Sequence, residues 1–153
     1  MCNSLHYLLM ANQATIQKKL FNNMKDTELS LGQPKILDYL KENDGAAQKD
    51  IATACHIEPA SLTSVLSGME KKELIKRETK DGNRRSLYVF LTDKGKALQK
   101  RVDYEFYNLE MQALKGFDEQ EKAHIINALK KIYDNLNHPE ETEIEKQKEN
   151  KYN

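Results

Sequence analysis

The chain has 153 residues, with 24 basic and 24 acidic side chains and a formal net charge of zero. A composition of 39% hydrophobic and 31% charged residues with only three prolines predicts a soluble, helix-leaning domain that hides roughly 68–70% of its unfolded surface. No apolar run approaches the roughly 18 residues of a membrane span. The opening MCNSLHYLLMANQ lacks a basic segment before its short apolar patch, so no leader is expected. Cys2 and Cys55 make no disulfide framework, so a reduced, cytoplasmic setting is expected.

Apolar residues at Leu5, Leu8, Leu9, Ile16, Leu20 and Met24 predict a first helix over 4–25. A break over 27–32 precedes a short helix over 33–42, with Pro34 in its first turn. Asn43-Asp44-Gly45 ends it, and a very short helix follows over 48–54. Cys55-His56-Ile57 is a tight connection to a helix over 59–72, where Leu62, Val65, Leu66 and Met69 share one face and Ser61, Thr63, Ser64 and Ser67 the other. Two short helices so joined have the layout of a helix-turn-helix.

Alternation over 75–79 and over 86–91 predicts two strands, and the Lys80-Asp81-Gly82-Asn83 stretch between them is a hairpin signal. Arg84 and Arg85, half of the chain's four arginines, follow directly. Thr92 is placed to cap a helix over 93–115 with two apolar stripes. Leu98, Val102, Phe106, Leu109 and Ala113 form one; Tyr104, Tyr107, Met111 and Leu114 form the other. Asp118-Glu119-Gln120-Glu121 reads as a capping box opening a last helix that stops at His138-Pro139. The charged stretch 139–153 has no periodicity and is expected to be a flexible tail.

A helix-turn-helix followed by a hairpin is a winged helix. Charge supports a polyanionic partner locally: 12 basic and 7 acidic residues lie between Ala46 and Arg101, so the neutral average hides a basic middle. A helix with small polar residues fits the major groove, and a narrow arm carrying arginines can enter a minor groove or neutralise phosphates. Gln48, Lys49, Pro59, Ala60, Ser61, Thr63, Ser64, Ser67, Asn83, Arg84 and Arg85 are the candidate DNA contacts.

The order of elements and several motifs resemble the MarR family of transcriptional regulators over about residues 5–138. Leu31-Gly32-Gln33-Pro34 looks like that family's second-helix start, and Gln48-Lys49-Asp50-Ile51-Ala52 like its first helix-turn-helix helix. Pro59-Ala60-Ser61-Leu62-Thr63 and the run from Met69 to Arg77 look like its recognition helix and first wing strand. Asn83-Arg84-Arg85, with Leu91-Thr92-Asp93-Lys94-Gly95 at the expected spacing, is the most specific part. Three positions depart from the pattern: Asn83 stands where Asp is usual, Glu73 where Gly is frequent, and Gly68 lies inside the recognition helix.

The resemblance implies a mainly α (α+β) fold in a single domain over 1–153. Its DNA-binding lobe is 33–92, with a two-stranded wing, and its dimerisation helices are 1–26 and 93–138. It implies a homodimeric regulator, usually a repressor, on double-stranded DNA with a palindromic operator whose half-sites lie about 34–36 Å apart. A small effector at the meeting of the two lobes would weaken DNA binding by linkage.

Met10, Tyr39, Tyr104 and Tyr107 are candidates for holding an aromatic or lipophilic effector; the alternative is that they are simply core. A thiol-sensing regulator using Cys2 or Cys55, and a winged helix serving as a protein-interaction module, are the other readings. His6, His56, His124 and His138 are scattered without ligand spacing, so no metal or other cofactor is expected. No catalytic motif is present that would mark an enzyme.

Overall fold

The computed structural model describes residues 4–79 and 86–137. The chain forms two compact units, Met1–Met111 and Gln112–Asn153. The elements, in order, are α1 (Leu5–Asn23), a 3-10 turn (Lys25–Thr27), α2 (Gln33–Leu40), β1 (Ala46–Ala47), α3 (Gln48–Ala54), α4 (Pro59–Lys71), β2 (Ile75–Thr79), β3 (Leu87–Leu91), α5 (Asp93–Ala113) and α6 (Glu119–Asn137).

The first unit is built around α2, α3 and α4. Ile36, Leu37, Leu40, Ile51, Leu62, Leu66, Met69, Leu74 and Val89 are fully or almost fully buried and form one cluster. Leu20 and Met24, from and beside α1, join it, as do Val102 and Leu109 of α5. The helical spacing of the apolar residues therefore marks the faces that meet. The first stripe of α5 is the inward one. From the second, Tyr104, Tyr107 and Met111 are exposed.

β2 and β3 pair antiparallel from Ile75 opposite Leu91 to Thr79 opposite Leu87. This is the expected wing hairpin. A third strand, β1, lies on the other side of β3, giving the order β1-β3-β2. Its two alanines carry no strand signal of their own. It forms because the preceding turn is tied to β3: the Gly45 N–H donates to the Val89 carbonyl at 2.8 Å, and the Leu91 N–H to Asp44 Oδ1 at 2.8 Å. Gly45 is left-handed (φ 82°), and an added Cβ would stand 2.7 Å from the Phe90 ring. Glycine is required there.

The junction between β3 and α5 is docked onto the turn that follows α4. The Thr92 hydroxyl accepts from the Gly95 N–H at 3.0 Å, as an N-cap should, and donates to the Glu73 carbonyl at 2.6 Å. The Thr92 N–H donates to the Leu74 carbonyl at 3.1 Å, and Lys94 Nζ to the Lys72 carbonyl at 2.8 Å. The Leu91-Thr92-Asp93-Lys94-Gly95 run is thus a connector between strand, helix and turn.

Glu73 has φ 58°, which explains why glycine suits this position. A left-handed L-residue costs about 1–2 kcal/mol, partly offset because glycine loses more entropy on folding. The carboxylate of Glu73 is exposed. Glu73→Gly is therefore expected to raise the melting temperature by about 2 °C. A fall in a thermal unfolding scan would refute this account.

Gly68 has a packing reason. An added Cβ would sit 3.3 Å from the side-chain nitrogen of Gln33, which is 2% exposed between α2 and α4. In the second unit, the capping box of α6 is formed on both sides. The Asp118 N–H donates to Glu121 Oε2 and the Glu121 N–H to Asp118 Oδ1, each at 2.8 Å. Ile126, Leu129, Tyr133 and Leu136 of α6 are exposed.

Candidate nucleic-acid interface

α3 is short because only Ile51 and Ala52 face the core, and it ends at Cys55. His56 then reverses the chain in a left-handed conformation (φ 51°), and Pro59 pre-sets the first turn of α4. α4 buries Leu62, Leu66 and Met69. Its other side faces an open groove of about 660 Å³ shared with α3.

Gln48, Lys49, Pro59 and Thr63 line this groove together, so four of the sequence-assigned residues converge. Ala60, Ser61 and Ser64 are exposed on α4 beside them. Glu58, at the N-cap, makes no side-chain cap bond, so the first-turn amides of α4 are left open. Such a terminus carries partial positive charge and favours an anion.

The polar face of α4 is internally braced. The Thr63 hydroxyl donates to the Pro59 carbonyl and accepts from Gln48 Nε2, both at 3.1 Å. Ser67 donates to the Thr63 carbonyl at 2.9 Å and accepts from Arg77 at 3.2 Å. Arg77 also binds Glu70 through its side chain at 2.6 and 3.1 Å and through its backbone N–H at 3.2 Å. That pairing holds the Glu70 carboxyl below its ordinary pKa, the Arg77 hydrogen bond being the largest cause. Arg77 and Glu70 were not singled out from the sequence. Their spacing across a helix end and a strand start follows no recognised rule.

β2 ends at Thr79 and β3 begins at Leu87 directly opposite. Asn83, Arg84 and Arg85 fall between them, outside the described residues. Within β3, Val89 and Leu91 are buried while Leu87 is exposed. The Lys76 ammonium lies 5.6 Å from the centre of the Phe90 ring and 2.8 Å from Glu78.

A separate cavity of about 370 Å³ lies among α1, the segment before α2, α2 and α5. Its walls are mainly apolar: Ile16, Leu20, Phe21 and Met24 on one side, Leu29 and Leu31 on another, with Phe106 from α5. Lys35 and Asp38 are polar lining residues. Burial raises the Asp38 pKa, and the nearby Asp103 adds to this. Met10, Tyr39, Tyr104 and Tyr107 are not among the lining residues. Tyr39 packs on the core, whereas Met10 is 67% exposed and Tyr104 and Tyr107 face outward.

Cys55 is 1% exposed, with Sγ 3.7 Å from the Lys35 carbonyl. Burial pushes its pKa up, which favours the unreactive thiol. Cys2 lies outside the described residues. No helix among them is long and apolar enough to cross a membrane.

Three helices, the last of them of the recognition type, and a paired wing define a winged-helix protein. The sequence model of the MarR family matches residues 29–87. The chain is 36% identical over 86 residues to the HTH-type transcriptional regulator PecS of Dickeya dadantii, covering 56% of this chain and 52% of that protein. It thus spans about half the length of this relative. It is also 24% identical over 128 residues to the HTH-type transcriptional regulator SarZ of Staphylococcus aureus, covering 82% and 84% of the two chains.

Among solved structures, a putative MarR-family transcriptional regulator from Listeria monocytogenes, complexed with a 26mer DNA, superposes with a TM-score of 0.81 at 26% identity, over 89% of this chain and 90% of that one. The MepR–DNA complex of S. aureus gives 0.80 at 24% identity, over 87% and 98%. Residues 29–87 thus match the MarR family, and the chain shares the fold of MarR-family transcriptional regulators.

Proposed function

We propose that the chain binds double-stranded DNA as a homodimer on a palindromic operator, acts as a repressor, and is released by a small apolar effector. The observation that carries this reading is the first half of α4: uncapped, exposed and presenting Ala60, Ser61 and Ser64 beside a groove that also holds Gln48, Lys49 and Thr63. In this reading α4 enters the major groove, Ser61 and Ser64 meet phosphates or base edges, and Arg84 and Arg85 bind at the adjacent groove. Thr63 and Ser67 orient the face as well as touch DNA. The DNA complexes solved for the Listeria and MepR proteins support the assignment by analogy.

Residues 33–92 serve as the DNA-binding lobe, and 1–26 with 93–138 as the dimerisation helices. The exposed apolar residues of α1, α5 and α6, among them Leu5, Leu8, Tyr104, Met111, Leu129 and Leu136, favour a second copy as their cover. The cavity has the size and apolar walls of a small-molecule site, and one wall is the segment leading into α2.

The test is a titration of DNA lying directly upstream of the chain's own gene, read by fluorescence anisotropy, with light scattering for mass. A dimer of twice 17.7 kDa is expected. Affinity should fall about 10³-fold between 50 and 200 mM salt, as for at least six phosphate contacts. Salt-independent association, or a stable monomer at micromolar concentration, would overturn the reading.

A further inference from the structure

The end of the recognition helix is tied to the wall of the cavity through one side chain. Lys72, the C-cap residue of α4, directs its ammonium at two oxygens of the segment before α2, the Glu28 carbonyl at 2.5 Å and Ser30 Oγ at 3.1 Å, and at Gln33 Oε1 of the first α2 residue at 3.1 Å. Gln33 is buried, and its Oε1 also accepts from the Ser30 N–H at 3.1 Å. Leu29, Ser30, Leu31 and Gly32 face the cavity from the same segment. Ser30 therefore belongs to both: it lines the cavity and binds the recognition helix.

The segment is a strap held at several points. Glu28 is left-handed (φ 58°), a conformation that costs an L-residue about 1–2 kcal/mol, while Gly32 (φ 87°) takes the same region without a Cβ to clash. At its start, Arg101 of α5 forms a paired bridge to Asp26 at 2.7 and 2.8 Å and donates to the Asn23 carbonyl at 3.3 Å. At its end, Lys72 supplies the bond to α4. On its inner side it lines the cavity through Leu29, Ser30 and Leu31.

We infer that Lys72 is the positioning residue that transmits occupation of the cavity to the recognition helix, through the strap over residues 28–33. The inference rests on the DNA-binding, effector-gated reading above. A molecule in the cavity shifts the strap, the three acceptors leave their places around the ammonium, and the C-terminal turn of α4 loses that anchor. Lys94 also holds the Lys72 carbonyl from α5, so this turn has two anchors, and losing the side-chain one loosens the turn without releasing it. Both states differ in bonded contacts, which a coupling free energy requires.

The test substitutes a built-in occupant for the effector. Ile16→Trp adds a ring to the cavity from α1, where Ile16 is 43% exposed. Four proteins are compared: the unmodified chain, Ile16→Trp, Lys72→Met and the double variant. The readouts are affinity for the upstream DNA and hydrogen exchange of residues 69–74. In the Lys72 background, Ile16→Trp is expected to weaken DNA binding at least about fivefold and to speed exchange at 69–74. In the Lys72→Met background both effects should shrink below about twofold. Lys72→Arg should restore them.

Equal effects in both backgrounds, or no effect of Ile16→Trp on the otherwise unmodified chain, would overturn the inference. If the unmodified chain does not bind the DNA, the DNA-binding reading falls, and the exchange data alone decide whether the link exists. If Lys72→Met does not fold, Ser30→Ala takes its place. It leaves Lys72 two acceptors and is expected to lose about half of the coupling; full coupling would refute the link.

Discussion

Gly95→Ala is expected to lower the melting temperature by about 6–12 °C, although it adds a single methyl group to a helix. An ideal Cβ at this position would lie 1.9 Å from the Leu74 carbonyl oxygen and 3.0 Å from its carbon. That is backbone, and it is held in place because the same carbonyl accepts the Thr92 N–H. Leu91 Cδ2, at 3.3 Å, closes another side. The first turn of α5 must therefore back away, which strains or breaks the Thr92 cap and the Thr92–Glu73 bond. Overpacking and lost bonds together cost about 3 kcal/mol, and at roughly 2–4 °C per kcal/mol this gives the expected fall. Alanine's better helix propensity returns less than about 1 kcal/mol of that. Lys96→Ala, one residue on and exposed, is the control and should move the transition by no more than about 2 °C. A Gly95→Ala protein that melts within 2 °C of the unmodified chain would sink the docking account.

The same glycine shows which features the sequence made legible. Helices over 48–54 and 59–72 could be read almost to the residue because Ile51, Leu62, Leu66 and Met69 follow a helical period and Pro59 marks a start. The α6 capping box was legible for a similar reason, being a local pattern with local partners. Leu91-Thr92-Asp93-Lys94-Gly95 was recognisable by resemblance, but its purpose was not. Its partners are the carbonyls of Lys72, Glu73 and Leu74, about 20 residues away, and no spacing rule reports a backbone oxygen. β1 was invisible on the same ground. Two alanines become a strand only because Asp44 and Gly45 are fastened to β3.

The candidate site divides along this line too. The exposed polar side of α4 is what remains once the apolar period is assigned, so Ser61, Thr63 and Ser64 could be named in advance. Arg77 could not. It reads as an alternating strand residue, yet it turns back to Glu70 and Ser67 and braces the recognition helix. Met10, Tyr39, Tyr104 and Tyr107 suit an effector by side-chain type alone, and none of them lines the cavity. The cavity gathers Ile16, Leu20 and Met24, which the sequence treats as ordinary members of a helix face, and Leu29 from the break before α2. A cavity is a failure of side chains to meet, and that is a property of three-dimensional packing.

Replacing both wing arginines, Arg84→Ala with Arg85→Ala, is expected to weaken binding to the upstream DNA roughly 100-fold while leaving the fold and the dimer intact. The two residues follow β2 and precede β3 in a hairpin whose pairing is complete from Ile75–Leu91 to Thr79–Leu87, so the strands do not depend on them. In the proposed dimer the double replacement removes four charges. At about −0.9 per phosphate contact, the slope of log K against log[salt] should become shallower by about 3.6. Arg84→Lys with Arg85→Lys separates the two roles of an arginine. Lysine restores the charge but not the planar donor fork or the affinity for a narrow groove. If the arginines only neutralise phosphates, the lysine pair recovers both slope and affinity. If they read groove shape, the slope returns while affinity for the specific site stays at least about tenfold low. Binding within threefold of the unmodified protein for the alanine pair, with an unchanged slope, would remove the wing from the interface and leave α4 alone to account for DNA recognition.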